Sequence, residues 1–223
     1  MLGSKPATTP CEENHKLGSA TGPLHSNPAM YRRLVGRLIY LCFTRPDLAY
    51  SVQVLSQFMQ NTRSEHWQAA LRVVRYLKGH PGQCILLPRE NNLQLSGWCV
   101  SDWASCPLTR KSLTGWFIQL GTSPVSWKTQ KQQIISASST EAEYRSMAKT
   151  TRELKWIKEI LTPFTFLILT QFVFTVIVKR RFTLQKTRSF TNAPNTLKLT
   201  AILFEMKLFT NIFYHHMCPH TRN

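Results

Sequence analysis

The spacing of apolar residues divides the chain into four stretches. Residues 1–27 have no period; Gly, Pro, Thr, Ser and charged residues dominate, which predicts a linker. Residues 28–90 carry helical spacing. Leu34, Leu38 and Leu41 share one face, and Pro46 favours a helix start before Leu48, Val52, Leu55 and Met59. A third helix is expected from Ser64 as N-cap, with Trp67, Leu71, Val74 and Leu77 as its apolar stripe and Gly79-His80-Pro81-Gly82 as its stop. Over residues 91–162 the period changes. Leu93, Leu95 and Gly97 alternate with polar neighbours, Leu113 to Leu120 is rich in aromatic and β-branched residues, and Pro124 to Trp127 and Gln133 to Ser138 follow with turn signals between them. That pattern predicts a three-stranded antiparallel meander. A helix then begins near Thr140 and carries Tyr144, Met147, Ala148, Leu154, Ile157 and Leu161. Residues 163–223 repeat Thr, Phe, Leu and Ile without a clear period.

At 223 residues and 43% hydrophobic, the chain can bury the core of one or two domains. Its net charge of +17, from 28 Lys and Arg against 11 Asp and Glu, favours an anionic partner, nucleic acid before a membrane surface. The charge is uneven: residues 1–162 hold 20 basic and 10 acidic side chains, whereas residues 163–223 hold 8 basic and one acidic, Glu205. A folded surface usually mixes signs, so the second segment differs in kind from the first. The third predicted helix turns Arg72, Arg75 and Lys78 to a face of their own, which reads either as a solvated face or as a phosphate contact. Six cysteines, none in a CxxC pair, point to reduced thiols inside the cell. The polar, Pro- and Thr-rich N-terminus carries no signal peptide, so a cytoplasmic or nuclear location is expected.

A series of blocks in order then narrows the reading. Leu2-Gly3-Ser4-Lys5-Pro6 with Thr9-Pro10 comes first, followed by Tyr31-Arg32-Arg33-Leu34-Val35-Gly36-Arg37-Leu38-Ile39-Tyr40-Leu41 and Thr44-Arg45-Pro46-Asp47-Leu48. His66-Trp67 and Val74-Arg75-Tyr76-Leu77-Lys78-Gly79 continue it. Ser101-Asp102-Trp103-Ala104, Arg110-Lys111-Ser112, Thr114-Gly115, Ser126-Trp127-Lys128 and Glu141-Ala142-Glu143-Tyr144 complete it. Together they resemble the Pol polyprotein of copia-type retrotransposons, over roughly residues 1–162. The resemblance implies a reverse-transcriptase thumb or connection-like helical segment at 28–90 and part of a ribonuclease H-like α/β domain at 91–162. In such polyproteins the polymerase palm, with its paired aspartates, lies upstream, so no polymerase chemistry is expected of these residues.

Ribonuclease H chemistry is metal-assisted hydrolysis of RNA in an RNA–DNA hybrid, with two Mg²⁺ ions about 4 Å apart clamping the attacking and leaving oxygens. Mg²⁺ needs several hard oxygen ligands, hence a cluster of carboxylates. By resemblance these are an Asp ending the first strand, a Glu early in the first helix, an Asp after a later strand, and usually a fourth. Glu143 matches the Glu. The residues alone leave a second reading, because Thr140-x-x-Glu143 is also a capping box and Glu141 stands four before Arg145, an ordinary helix ion pair. The first Asp falls on Val100. Asp102 lies two residues on, roughly 6–7 Å along an extended strand, too far to replace it where metal sites tolerate only tenths of an ångström. Arg110, Lys111, Lys128 and Lys131 lie near predicted strand ends, where related domains hold the hybrid backbone.

The third Asp has no counterpart in the tail. Writing Phe190 through Lys198 in codons and sliding back one base yields His-Glu-Arg-Thr-Lys-His-Ile-Glu after a first Phe, and Phe174 through Val178 yields Tyr-Cys-Asp-Ser, both family-like text. Residues from about 163 onward therefore read as an out-of-frame, irregular tail. Two rival signals lie in the same segment: zinc-like ligands at His215-His216-x-Cys218-x-His220, whose spacing fits no common module, and an uncharged run from Ile160 to Val178 of nearly membrane-spanning length. A complete ribonuclease H domain needs about five strands; three are legible here, so the expectation is a truncated half-domain with unpaired parallel edges and a tendency to aggregate. The functional expectation is a degenerate, catalytically silent fragment. Its alternatives are residual cleavage through Asp102 and Glu143 with Mg²⁺, or non-specific nucleic-acid binding.

Overall fold

The computed structural model describes residues 3–12, 15–164, 173–177 and 198–202. The chain forms two compact units, dividing between Cys84 and Ile85.

The first unit is helical: α1 (Pro28–Leu41), α2 (Ala49–Ser56) and α3 (Ser64–Gly79). Asn27 caps α1 by accepting from Met30 N, and Pro28 fills the first helical position. Tyr31, Val35 and Leu38 then point into a core shared with Leu48, Val52, Leu55, Ala70, Val73 and Tyr76. Pro46 opens a short 3₁₀ turn that leads into α2. The deeply buried face of α3 is His66, Ala70, Val73 and Tyr76 rather than the expected Trp67, Leu71, Val74 and Leu77. The reason is that α3 is covered from more than one side. Its small Ala70 meets the other helices, while Trp67 stacks on His25 with ring centroids 4.9 Å apart. Ser64 stands one place inside the helix, and Arg63 is its N-cap, its N–H donating to His66 Nδ1.

The segment expected to be a linker is tied to α3. Ala7 N donates to the Arg75 carbonyl, Lys78 Nζ to the Ser4 carbonyl, and Arg72 to Thr9 and to the Glu12 carboxylate at 2.7 Å. Arg72 and Lys78 thus hold their own chain while Lys78 stays exposed and Arg72 part-exposed, in keeping with a solvated face.

The second unit is a five-stranded sheet in the order β3-β2-β1-β4-β5. β1 (Leu95–Asp102), β2 (Leu113–Leu120) and β3 (Ser123–Lys131) form the expected antiparallel meander. Two strands were not expected: β4 (Val173–Ile177) pairs parallel with β1, and β5 (Lys198–Ile202) pairs parallel with β4. The irregular-tail and unpaired-edge expectations are corrected at these residues. Pattern reading missed them because β4 is apolar on both parities, a signature that does not separate strand from helix. The run Gln133 to Ser138 is also not a strand. Gln132 is buried there, donating to Thr114 Oγ1 and the Ala142 carbonyl and accepting from Ser136 Oγ, and this turns the chain into a loop that leaves Ile134 and Ile135 exposed.

The helix packed on the sheet is α4 (Ser139–Leu161). Leu154 and Ile157 bury against Leu95, Cys99, Trp116 and Ile118. Gly97 lies directly beneath Leu154, where a Cβ would come within 2.9 Å of a leucine methyl. Between β2 and β3 the turn depends on Gly121 at φ +58°. A Cβ there would overlap the Asn91 side chain and the Asn92 carbonyl, and Asn91 itself fastens the turn by donating to the Leu120 carbonyl and accepting from Thr122 N. Gly121→Ala is expected to destabilise this unit by at least about 1–2 kcal/mol from the left-handed backbone alone. Urea denaturation checks this, and an unchanged midpoint would contradict the turn's role.

Candidate functional site

The candidate site lies where α4 begins, over the C-terminal end of β1. Ser138 caps α4, its hydroxyl accepting from Glu141 N at 3.1 Å, and Glu141 reaches back to accept from Ala137 N at 2.8 Å. The reciprocal cap is therefore Ser138 with Glu141, and the alternative that Thr140 and Glu143 form it is overturned. Glu141 also makes the expected ion pair with Arg145 at 2.7 Å.

One turn beyond Glu143, Ser146 Oγ donates to the Val100 carbonyl at 2.9 Å, which pins helix to strand at the residue where the resemblance places the first carboxylate. Cys99 faces α4 beside it. Burial pushes its thiol up to about 12, and the Glu143 charge adds to that. Alternation along β1 puts Leu95, Gly97, Cys99 and Ser101 under the helix, and Val100 and Asp102 on the other parity. The Val100 side chain offers no oxygen. Among the described residues no three His, Cys, Asp or Glu side chains gather closely enough to hold a metal ion. Mg²⁺ requires several hard oxygens, so the described residues do not fit it. The position of a third carboxylate, and His215, His216, Cys218 and His220, lie outside the described residues. So do residues 165–172 and 178 of the uncharged run; among the described residues no helix is long and apolar enough to cross a membrane.

The basic candidates divide. Arg110 is exposed and held at φ +53° at the end of the loop joining β1 to β2, and Lys111 follows it, half-buried. Lys128 lies on the α4 face of β3, its ammonium 5.8 Å from the Trp116 ring centre. Lys131 is committed elsewhere, with Nζ 3.0 Å from Cys106 Sγ. Burial of Cys106 raises its pKa, but hydrogen bonds from Lys131 and Thr109 outweigh it and bring the thiol down to about 7. Its alkylation rate is expected to show an inflection near pH 7, moved toward the ordinary thiol range by Lys131→Gln. An inflection unmoved by that substitution would remove Lys131 as the cause.

A second basic surface escaped the sequence reading. The exposed flank of α1 carries Arg33, Gly36, Arg37 and Tyr40, with Phe43 just beyond, and α1 contains no acid. Tyr40 and Phe43 are 79% and 72% exposed and meet edge to face at 6.0 Å. Nothing lies within 4 Å of where a Gly36 Cβ would stand, so the helix backbone is open to close approach. The signal was available: these residues recur at helical spacing on the flank opposite Tyr31, Val35 and Leu38.

No protein-family model matches the chain. It is 44% identical over 162 residues to the retrovirus-related Pol polyprotein from transposon RE1 of Arabidopsis thaliana, 73% of this chain and 11% of that protein. It is 45% identical to the corresponding polyprotein from transposon RE2 of the same plant, again over 73% of this chain and 11% of the relative. To the polyprotein from transposon TNT 1-94 of Nicotiana tabacum it is 34% identical, over 72% of this chain and 13% of the relative. The chain thus spans little more than a tenth of the length of these relatives, while nearly three-quarters of its own length aligns with them. With the ordered blocks from Leu2 to Tyr144, this extent of identity makes the chain a fragment belonging to the copia-type retrovirus-related Pol polyproteins of transposons.

Proposed function

We propose that this chain is a retrotransposon-derived fragment whose second unit is ribonuclease H-like and catalytically silent. The observation that carries the reading is the join between β1 and α4. Ser146 fastens the helix to the Val100 carbonyl, Glu143 stands one turn earlier, and the residue at the expected first-carboxylate position is a valine. The sheet supports the same reading. An antiparallel meander, a helix, and then strands parallel to β1 make the five-stranded arrangement that the resemblance implies. In a ribonuclease H the metal supplies Lewis-acid stabilisation and an activated water; a valine at position 100 would leave that pair of ions short of a ligand. Incubation with labelled RNA–DNA hybrid and Mg²⁺ or Mn²⁺ tests the reading. Metal-dependent turnover that Glu143→Gln abolishes overturns it in favour of residual cleavage by Asp102 and Glu143.

A second reading, non-specific nucleic-acid binding, is favoured by the acid-free flank of α1 and by Arg110 and Lys111 on their loop. Contacts of this type are made to phosphates, without regard to sequence, and weaken as counterions compete. Replacing Arg33 and Arg37 together by Gln is expected to lower the slope of log affinity against log salt by about 2. A slope left unchanged removes α1 from the interface.

A further inference from the structure

The segment ahead of α1 lies along α3 as a strap that runs in the opposite sense. Ser4 is hydrogen-bonded to Lys78, Ala7 to Arg75 and Thr9 to Arg72. Ala7 packs against the helical core, Pro6 comes within 3.2 Å of where a Gly79 Cβ would stand, and Pro10 is buried. Between these anchors Thr8 and Thr9 are exposed. Arg72 Nη2 donates to Thr9 Oγ1 at 3.1 Å and Nε to the Thr9 carbonyl at 3.3 Å, while Nη1 meets Glu12 Oε1 at 2.7 Å. Arg75 stands one turn further along the same stripe, and helix side chains lean toward the N-terminus, here back toward Arg72. The Arg75 Nε is buried and meets no acceptor. Such an orphaned donor is destabilising, and it is already desolvated for any anion brought to this point. Ser or Thr precedes Pro at Thr9, Ser123 and Thr162. Ser123 is buried in β3, and the Thr162 hydroxyl donates to the Lys158 carbonyl, whereas the Thr9 hydroxyl has an arginine on it.

We propose that Thr9 is a phosphoacceptor for a proline-directed protein kinase, and that Arg72 and Arg75 take up the phosphate and lock the strap onto α3. In the transfer the Thr9 oxygen bonds to the γ-phosphorus of ATP, the bond from that phosphorus to ADP breaks, and the hydroxyl proton passes to the kinase's base. The product carries a charge of about −1.5 to −2 and three acceptor oxygens. One oxygen replaces the Thr9 hydroxyl as acceptor for Arg72, and another satisfies Arg75. Glu12 then competes for Arg72 with a stronger anion and yields; its side chain is already 66% exposed, so leaving the pair buries no charge. The inference is independent of both functional readings, because Thr9 belongs neither to the second unit nor to the exposed flank of α1.

Cys11, part-buried in the strap itself, reports whether the strap is docked. The full chain is treated with a proline-directed Ser/Thr kinase and ATP beside a peptide of residues 3–12, then alkylated under native conditions, and both modifications are located by mass spectrometry. Phosphate is expected on Thr9 in the full chain and in the peptide. Alkylation of Cys11 is expected to slow about tenfold in the phosphorylated chain, the worth of one charge-assisted hydrogen bond. Arg75→Gln, with native circular dichroism, is expected to leave the unphosphorylated rate unchanged and to remove most of the slowing. Thr9→Val is expected to take no phosphate at this site and to show no slowing. The proposal is overturned if the peptide is not modified, since the sequence is then no acceptor, or if the peptide is modified and Thr9 of the full chain is not. It is equally overturned if the phosphorylated chain alkylates at Cys11 as fast as the parent or faster, because the phosphate then fails to hold the strap. Slowing that survives unchanged in folded Arg75→Gln removes Arg75 from the site and overturns it too. If Arg75→Gln fails to fold, the phosphorylated parent decides by its Cys11 rate alone.

Discussion

Val100→Asp is expected to leave the protein without detectable cleavage of RNA–DNA hybrid. The substitution returns one ligand to the end of β1, near the turn of α4 that carries Glu143. Two carboxylates do not make a two-metal site, since each Mg²⁺ demands near-octahedral oxygen coordination and the two ions must lie about 4 Å apart. Enzymes of ordinary power lower the barrier by about 8 kcal/mol or more, and a site lacking a ligand loses the positioning that supplies it. Product formation should therefore stay at the no-enzyme level in Mg²⁺ and in Mn²⁺, for the parent and the variant alike. Measurable turnover by Val100→Asp, lost again on adding Glu143→Gln, would show that the missing ligand is supplied from elsewhere in the chain and that the valine alone silences the site.

The largest stability effect is expected at the ion pair buried in the first unit. Arg45 Nε and Nη2 meet the two Asp47 oxygens at 2.9 and 2.8 Å, with side chains 5% and 0% exposed. The guanidinium also donates to the His80 carbonyl and to Gln83 Oε1, and lies 5.8 Å from the centre of the Tyr76 ring. Burial opposes its charge, but Asp47 outweighs burial and holds the Arg45 pKa above its ordinary value. Asp47→Ala strands the cation in the interior and is expected to cost about 3–5 kcal/mol. For a unit of this size that is a fall in melting temperature of roughly 15 °C or more. Arg45→Met combined with Asp47→Leu should recover much of the loss, because an apolar pair leaves no charge unsatisfied. A single-variant cost below about 1 kcal/mol would mean that water reaches Arg45.

These two residues also show what the sequence could convey. Arg45-Pro46-Asp47 was legible as a helix start and as family text, but nothing in its spacing says that both charges are buried, since burial depends on Tyr76, His80 and Gln83 closing from α3 and beyond. β1 was legible from its alternation, β2 from its richness in aromatic and β-branched residues, and α4 from a helical spacing kept over many residues. At the α4 start, Thr140 and Glu143 satisfy the capping pattern as well as Ser138 and Glu141 do; the choice between them lies in the backbone of Ser138, which is extended at φ −137°. The candidate site was legible at Glu143 and Val100 only through the ordered blocks, as two residues have no periodicity. The α1 flank carries its signal only in the spacing of Arg33, Arg37 and Tyr40, beside the more prominent stripe of Leu34, Leu38 and Leu41.

The parallel pairing of β1 with β4 has a consequence for synthesis. β2 can close one edge of β1 within a few residues of its completion, but the other edge must wait for Val173–Ile177 to be made. At about 5–20 residues per second, the ribosome needs roughly 4–14 s to travel from the end of β1 to the start of β4. Throughout that interval the nascent chain presents an open strand edge beside Cys99 and Trp98. This is a window in which a neighbouring nascent chain can add a strand before β4 does, so the yield of soluble protein should depend on how fast residues 103–177 are translated.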